Sequence, residues 1–384
     1  MLTTRETVVV LRRESLSARL AILPGKRYHD DHLSWSLENL SRSLGLQVMD
    51  ALSEILQSVK LEGAIFFNAE FTAPWGVRAP RSREMAAFLR KSSKHLITYH
   101  LLTEGRARGE VADSAHSVNL EPGDIIVFPH GDAHILSNGS PARIVDNGKQ
   151  LKEVFAQGMK PCRDGGGGES TFFVCGYLEC DPELSKTFLG GLPPVFKVNI
   201  RKDRAGQWLE NSIKFSAGEA GANRAGSDAV LARLSEALFV ETLRRYMAEL
   251  PRQHTGWLAG ARDPFVGVAL AHLHRDPEAP WTIATLAQRV GISRSVLAER
   301  FSRFLGEPPM TYLSRWRLQL GARMLTSTSY SVARISGEVG YESEPAFNRA
   351  FKRKYGLPPA RFRVQAKSMH RASAAKRRPL SSAQ

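Results

Sequence analysis

Cysteine is scarce in this chain. Three residues, Cys162, Cys175 and Cys180, are spread over 384 positions, too few for a disulfide framework. Long apolar runs are missing as well. No stretch approaches the roughly 18 residues of a membrane span, and the first twenty residues carry acids without a signal-peptide core. A protein of the reducing cytoplasm, with no membrane partner, is the simplest reading. The third scarcity is local. From Trp281 onward there are five acids against nineteen Lys and Arg, so this segment holds +14 of the net +15. The first 280 residues are nearly neutral. A basic excess confined to one segment points to a polyanion, because neutralised phosphates release counterions and drive binding.

That segment is two copies of one pattern. The first runs WTIATLAQRVGISRSVLAERFSRFLGEPP, Trp281 to Pro309, and the second YSVARISGEVGYESEPAFNRAFKRKYGLPP, Tyr330 to Pro359, offset by 49 to 50 residues. Thr282 and Ser331 stand where a side-chain oxygen caps a first helix. Ile283, Leu286, Ala287 and Val290, and in the second copy Val332, Ile335 and Val339, follow at helical spacing. Gly291 and Gly340 then allow the left-handed turn that ends a helix. Ser293 and Ser343 cap a second helix, whose buried face is read as Val296, Leu297, Phe301 and Phe304, and as Ala346, Phe347, Phe351 and Tyr355. Ala287 and Ser336 are small where the two helices must approach. Each copy is a helix-turn-helix.

Two such units joined by a long helix, Pro309 to about Thr326, resemble the DNA-binding domain of the AraC/XylS family of transcription regulators. The closing GYESEPAFNRAFKRKYGLPPARFR carries most of the likeness. The resemblance implies promoter DNA and RNA polymerase as partners, with activation the commoner role. It places Ser295, Ala298, Glu299, Glu344, Asn348 and Arg349 on base-facing turns. Arg349 suits guanine, Asn348 adenine and Glu299 cytosine. Ser293, Arg294, Ser343 and Lys352 read as phosphate contacts, which position without specifying. For Arg349 the alternatives are a phosphate contact or a salt bridge to Glu344 or Glu338.

Upstream, residues 48–59 have the spacing of a short amphipathic helix, and 61–77 read as strand. From Lys94 to Val145 short strands and turns alternate, which suggests a barrel or sandwich. The spacing Gly123, Pro129, Gly131, His134, Asn138 resembles the second conserved motif of the cupin barrels. Metal-binding cupins carry a Glu and two His on an earlier strand. With Gly105 as that strand's glycine, the Glu position is Thr98 and the His positions fall among Lys91, Ser92, Ser93 and Lys94, so no ligand set is present. We therefore expect no metal and no other cofactor. His100, Phe128 and His134 are expected at a ligand pocket, packing being the alternative for His134.

Cys162 precedes a glycine run, 165–168, expected to be mobile. Cys175 and Cys180 fall on opposite faces of a regular strand, and all three thiols are read either as a redox set or as small buried hydrophobes. Residues 203–216 suit a short helix and 216–229 a linker. Residues 230–250 form a strong amphipathic helix that either docks on the barrel or builds a homodimer. The sequence thus implies a multidomain α+β protein: an N-terminal extension (1–44), a cupin-like β-barrel (45–200), linker and candidate dimerisation helices (201–262), an all-α domain with two helix-turn-helix units joined by a long helix (263–366), and a disordered basic tail (367–384). The expected function is sequence-specific transcription regulation, most simply activation, with the barrel sensing an unknown small-molecule effector and no enzymatic role. Cysteine-based redox sensing, or a metal-dependent cupin enzyme fused to a DNA-binding domain, are the alternatives.

Overall fold

The first strands break where proline forbids continuation. β1 (Phe67–Thr72) and β2 (Trp75–Ala79) are separated at Ala73 and Pro74, so the single strand expected over this region is two. The structure is a computed structural model. It describes residues 50–59, 67–88, 95–139, 144–146, 148, 162–180, 187–220, 226–251 and 253–375. The expected extension over 1–44, the positions 91–94 and the last residues, 376–384, lie outside the described residues.

Eleven described strands form two sheets. The further strands are β3 (Leu96–Glu104), β4 (Ala107–Val111), β5 (Ser117–Leu120), β6 (Asp124–Phe128), β7 (His134–Asn138), β8 (Val145–Asp146), β9 (Cys162–Gly165), β10 (Ser170–Glu179) and β11 (Phe196–Asn199). One sheet runs in the order β11-β6-β3-β10-β1-β9 and the other β5-β4-β7-β2-β8. Side chains alternate across each strand, and this sorts the cores. Ile126, Phe128, Phe173 and Cys175 point between the sheets. Ile125, Val127, Val174 and Leu178 point outward into a second cluster. β3 is therefore buried on both faces.

Helices cover that outer face. They begin with α1 (Ala51–Val59), a short α2 (Ser82–Phe88), α3 (Arg204–Ala220) and α4 (Ser227–Glu249). The expected linker over 216–229 is partly helix, since α3 continues to Ala220 and α4 starts at Ser227. Leu231, Leu238, Phe239 and Leu243 of α4 are buried in the cluster behind the six-stranded sheet. The apolar side of α4 is thus spent on docking within the chain. The glycine run is also held. Gly166 and Gly168 donate to the carbonyls of Thr72 and Ala73, and Gly167 donates to the Thr72 hydroxyl.

The helical part starts earlier than the expected Asp263. Residues 257–262, read as loop, form α5 (Trp257–Arg262), whose Trp257 is buried and stacks parallel to His274. Then come α6 (Val266–Arg275), α7 (Ile283–Val290), α8 (Arg294–Leu305), α9 (Pro309–Ser327), α10 (Val332–Glu338), α11 (Glu344–Tyr355) and α12 (Pro359–Ala375). α12 carries helix into the region expected to be disordered. Its Gln, Ala, Lys, Met and Arg residues are all good helix formers. Asp263 starts α6, accepting the N–H groups of Phe265 and Val266 and pairing with Arg300 at 2.6 Å.

The outer cluster does not stop at the barrel. It runs from Ile55 of α1 and Tyr99 of β3 through Leu238 and Trp257 to Leu270 of α6, Phe301 of the first helix-turn-helix and Trp316 of α9. The second unit has a core of its own, built on Leu325, Ile335, Phe347 and Phe351. Among the described residues, α9 is the helix that contributes buried side chains to both. A Cβ on Gly321 would lie 2.9 Å from the Phe347 ring, which is why α9 has glycine where α11 crosses it.

Candidate DNA interface and sensor pocket

The caps expected from sequence are formed in both copies. Thr282 accepts from the N–H of Thr285 in a reciprocal capping box, and Ser331 accepts from Arg334. Ser293 and Ser343 accept from Val296 and Ala346, so each hydroxyl is engaged by its own helix. Gly291 and Gly340 turn the chain at φ +82° and +83°. Leu297 and Phe301, and Phe347 and Phe351, face inward. Val296 departs from the expected pattern. It is 41 % exposed, because α8 buries only a narrow stripe centred on Leu297 and Phe301.

The outward faces differ between the copies. On α8, Arg294, Ser295 and Glu299 are exposed and Ala298 is half-buried. On α11, Arg349, Lys352, Arg353 and Lys354 are exposed. Glu338 pairs with Arg334, and Glu344 accepts from Asn348 at 3.5 Å. Neither alternative acid therefore holds Arg349. Asn348 is half-buried with its Oδ1 turned inward, which leaves less of its amide for a base edge than expected.

Inside the barrel the structure brings together three residues that sequence left scattered. Cys175 on β10 stands opposite His100 on β3. The Cys175 Sγ lies 2.9 Å from His100 Nδ1, His100 Nε2 lies 2.8 Å from His134 Nε2, and His134 Nδ1 lies 3.1 Å from the Asp132 carbonyl. A carbonyl can only accept, and this sets every proton. His134 carries its hydrogen on Nδ1 and leaves Nε2 bare. His100 donates from Nε2 and leaves Nδ1 bare. The Cys175 thiol donates to it.

Burial keeps all three neutral. Desolvation, then the repulsion that protonating both it and neighbouring His134 would bring, holds His100 well below the ordinary histidine range. Burial lowers His134 to about 4, against the opposing bond to Asp132. Burial also pushes the Cys175 thiol well above its usual range. Phe128, expected at the pocket, is set behind the wall. It stacks on His134 at 3.9 Å between ring centroids and holds that ring in place.

The chain of three adjoins an apolar cavity of about 40 Å³, lined also by Thr98, Phe71, Met85 and Tyr177. Sequence reading did not place Thr98 or Tyr177 at the pocket. Strand parity holds the signal, since Thr98 shares a face with His100, and Tyr177 with Cys175. Cys162 faces the same interior, while Cys180 lies in the outer cluster. The opposite facing of Cys175 and Cys180 is as expected, and all three thiols are buried without a disulfide.

A cupin metal would need three or four donors converging on one point. Here Cys175 and His134 approach opposite edges of the His100 ring. Among the described residues no three His, Cys, Asp or Glu side chains are arranged to hold a metal ion, so the residues present do not fit such a centre.

The buried histidines make stability depend on pH. His134 is lowered to about 4, and His274, buried among Trp257, Tyr312 and Trp316, to about 3. The folded values lie below the unfolded value, so the unfolded chain takes up protons first and acid favours unfolding. The stabilisation is complete above the ordinary histidine pKa and is lost as pH falls toward the folded values. Each histidine is expected to remove about 1.4 kcal/mol per pH unit within that window. Urea unfolding midpoints at about pH 7, 6 and 5 would read this slope. A midpoint independent of pH there would contradict it.

Comparison with known proteins agrees with both halves of the fold. The family model described as Cupin matches residues 50–248, and that described as Helix-turn-helix domain matches residues 286–365. An AraC-like transcription regulator of Streptomyces lividans is 31% identical over 319 residues, 82% of this chain and 98% of that protein. The HTH-type transcriptional regulator AlkR of Acinetobacter baylyi is 29% identical, covering 83% and 100%. RclR of Escherichia coli, an RCS-specific HTH-type transcriptional activator, is 27% identical, covering 84% and 99%. The DNA-binding domain of AdpA, solved in complex with a target DNA, is 30% identical over 28% of this chain and 96% of that one, with a TM-score of 0.27. No described helix is long and apolar enough to cross a membrane. The relatives are named as regulators, which sets the enzyme alternative aside. The chain belongs to the AraC-like transcription regulators, DNA-binding proteins in which a cupin domain precedes a helix-turn-helix domain.

Proposed function

We propose that the chain is a promoter-binding activator whose barrel senses a small molecule and whose output is contact with RNA polymerase. The reading rests on one strand. β3 turns Thr98 and His100 toward the cavity and Tyr99 the other way, where its hydroxyl bonds Ser235 of α4 at 2.7 Å in a fully buried pair. An effector that displaces the inner face must move the outer one, since close-packed cores transmit strain.

A second link lies beyond it. The Thr187 hydroxyl donates to Gln319 of α9 at 2.8 Å and accepts from Arg315 at 3.1 Å. Arg275 of α6 pairs with Glu54 of α1 at 3.0 Å. These contacts tie the cupin side to α6 and to the joining helix α9, while the second unit packs on α9 and, at Gly340, against the backbone of Glu278. Effector binding would change the angle between the two readers. A cavity of about 40 Å³ suits an effector of few atoms. A second copy would seat on α3, where Trp208 and Phe215, two turns apart on one face, are 64 % and 69 % exposed.

Selection of DNA from a random-sequence pool tests this reading. The full chain should enrich an asymmetric site of about two helical turns and prefer it to scrambled DNA by at least about a thousandfold. Stoichiometry on that site reads one chain or two. Transcription from it by purified RNA polymerase should rise on addition of the protein. No enrichment would end the reading, and a fall in transcript would end its activator half.

A further inference from the structure

The cavity wall carries two observations that effector sensing alone does not explain. The first is the ordered series of thiol, imidazole and imidazole. A nucleophile, a base in hydrogen-bond reach and a third group orienting that base are the arrangement that activates a nucleophile. Cys175, His100 and His134 fill those roles, and the Asp132 carbonyl fixes the tautomer of the last.

The second is Thr98. It is 3 % exposed, lines the same cavity, and its Oγ1 has no hydrogen-bond partner among the described residues. Buried polar atoms are almost always satisfied, so a hydroxyl of this kind on a cavity wall marks where a ligand atom belongs. The volume, about 40 Å³, limits that ligand to about two non-hydrogen atoms.

We propose that Cys175 is an oxidation site for hydrogen peroxide, with His100 as the base and Thr98 as donor to the leaving oxygen. This rests on reading the barrel as the sensor and names what it senses. In the step, the Cys175 S–H bond breaks and its proton passes to His100 Nδ1. Sulfur attacks one peroxide oxygen, the O–O bond breaks, and an S–OH bond forms. The departing hydroxide, hydrogen-bonded by Thr98, takes the proton back from His100 and leaves as water. Sulfur loses two electrons and the peroxide gains them.

The buried thiol is not a preformed thiolate. Like a serine hydroxyl beside its histidine, it is activated at the moment of attack. This suits a sensor, because a neutral thiol behind an apolar wall ignores charged and bulky oxidants.

The test treats the full chain with hydrogen peroxide and dimedone, which traps sulfenic acid, and maps adducts by mass spectrometry. Cys175 should be labelled before Cys162 and Cys180. His100→Gln should slow labelling about a hundredfold and the near-isosteric Thr98→Val by at least about tenfold. In guanidinium both variants should label at the parent rate, which separates chemistry from folding. Cumene hydroperoxide should lose, in the native protein, most of the reactivity it shows toward the unfolded chain. Prior labelling of another cysteine, an unchanged Thr98→Val rate or full reactivity toward the bulky peroxide would each overturn the proposal. DNA binding is scored separately. Oxidation of Cys175 that leaves DNA affinity and transcription unchanged removes the sensor reading but not the site. A response that survives Cys175→Ser shows that the barrel senses by another route and removes peroxide as the signal.

Discussion

Trp316→Ala is expected to cost about 3–5 kcal/mol of stability, and to cost it throughout the barrel and the first helix-turn-helix together. Trp316 is fully buried on α9, in the apolar cluster that also holds Tyr99 and Leu101 of β3 and Leu238 of α4. A core that crosses two folds makes them one cooperative unit. Phe347→Ala is the control. It removes a side chain of comparable burial, but from the separate cluster around Ile335, Phe347 and Phe351. Its loss should loosen α10 and α11 while the barrel and the first unit stay folded. Hydrogen exchange resolved by peptide distinguishes the two. Trp316→Ala should deprotect β3, α4 and α6 together, and Phe347→Ala only the region from α9 onward. Deprotection of β3 by Phe347→Ala would show that the two cores are not independent.

The contrast bears on how much of the molecule could be read from its residues. The helix-turn-helix pair was legible because its signals are local. Serine and threonine caps, a turning glycine and apolar spacing lie within a few residues of one another, twice. The strands between 96 and 146 were legible for the same reason. What escaped was set by distant partners. Residues 257–262 carry Gly260 and have no side-chain cap, and they are helical because Trp257 has His274 and Phe188 to pack against. The glycine run reads as mobile until Thr72 and Ala73 are seen to accept its N–H groups. Val296 has the right period for the core but sits at the edge of the stripe.

The sensor site was half-visible. His100 and His134 were singled out, but their meeting depends on β3 and β7 lying in facing sheets, which no spacing encodes. The joint of Thr187 with Gln319 spans 132 positions and has no local signal at all.

The larger effect on function falls on α11. Arg349→Ala is expected to weaken specific DNA binding by about 1–3 kcal/mol, or roughly 5- to 150-fold, and to leave binding to scrambled DNA nearly unchanged. The two acids that could have claimed Arg349 are engaged by Arg334 and Asn348. Its guanidinium is therefore free for a base edge. Lys352, one turn further on and exposed, should behave differently. As a phosphate contact, its loss should weaken all sequences alike and flatten the salt dependence by about one unit of slope. Titrations of both variants on selected and scrambled DNA at several salt concentrations separate the roles. Equal loss on both DNAs for Arg349→Ala would make it a phosphate anchor. The consequence would then fall on α8. Its outward residues are mostly short, apolar or acidic, with Arg294 and Arg303 the fully exposed arginines, so a protein that does not read bases through Arg349 would have few long donors left to read them. Specificity would have to come from the shape of the DNA that the two helices can follow together.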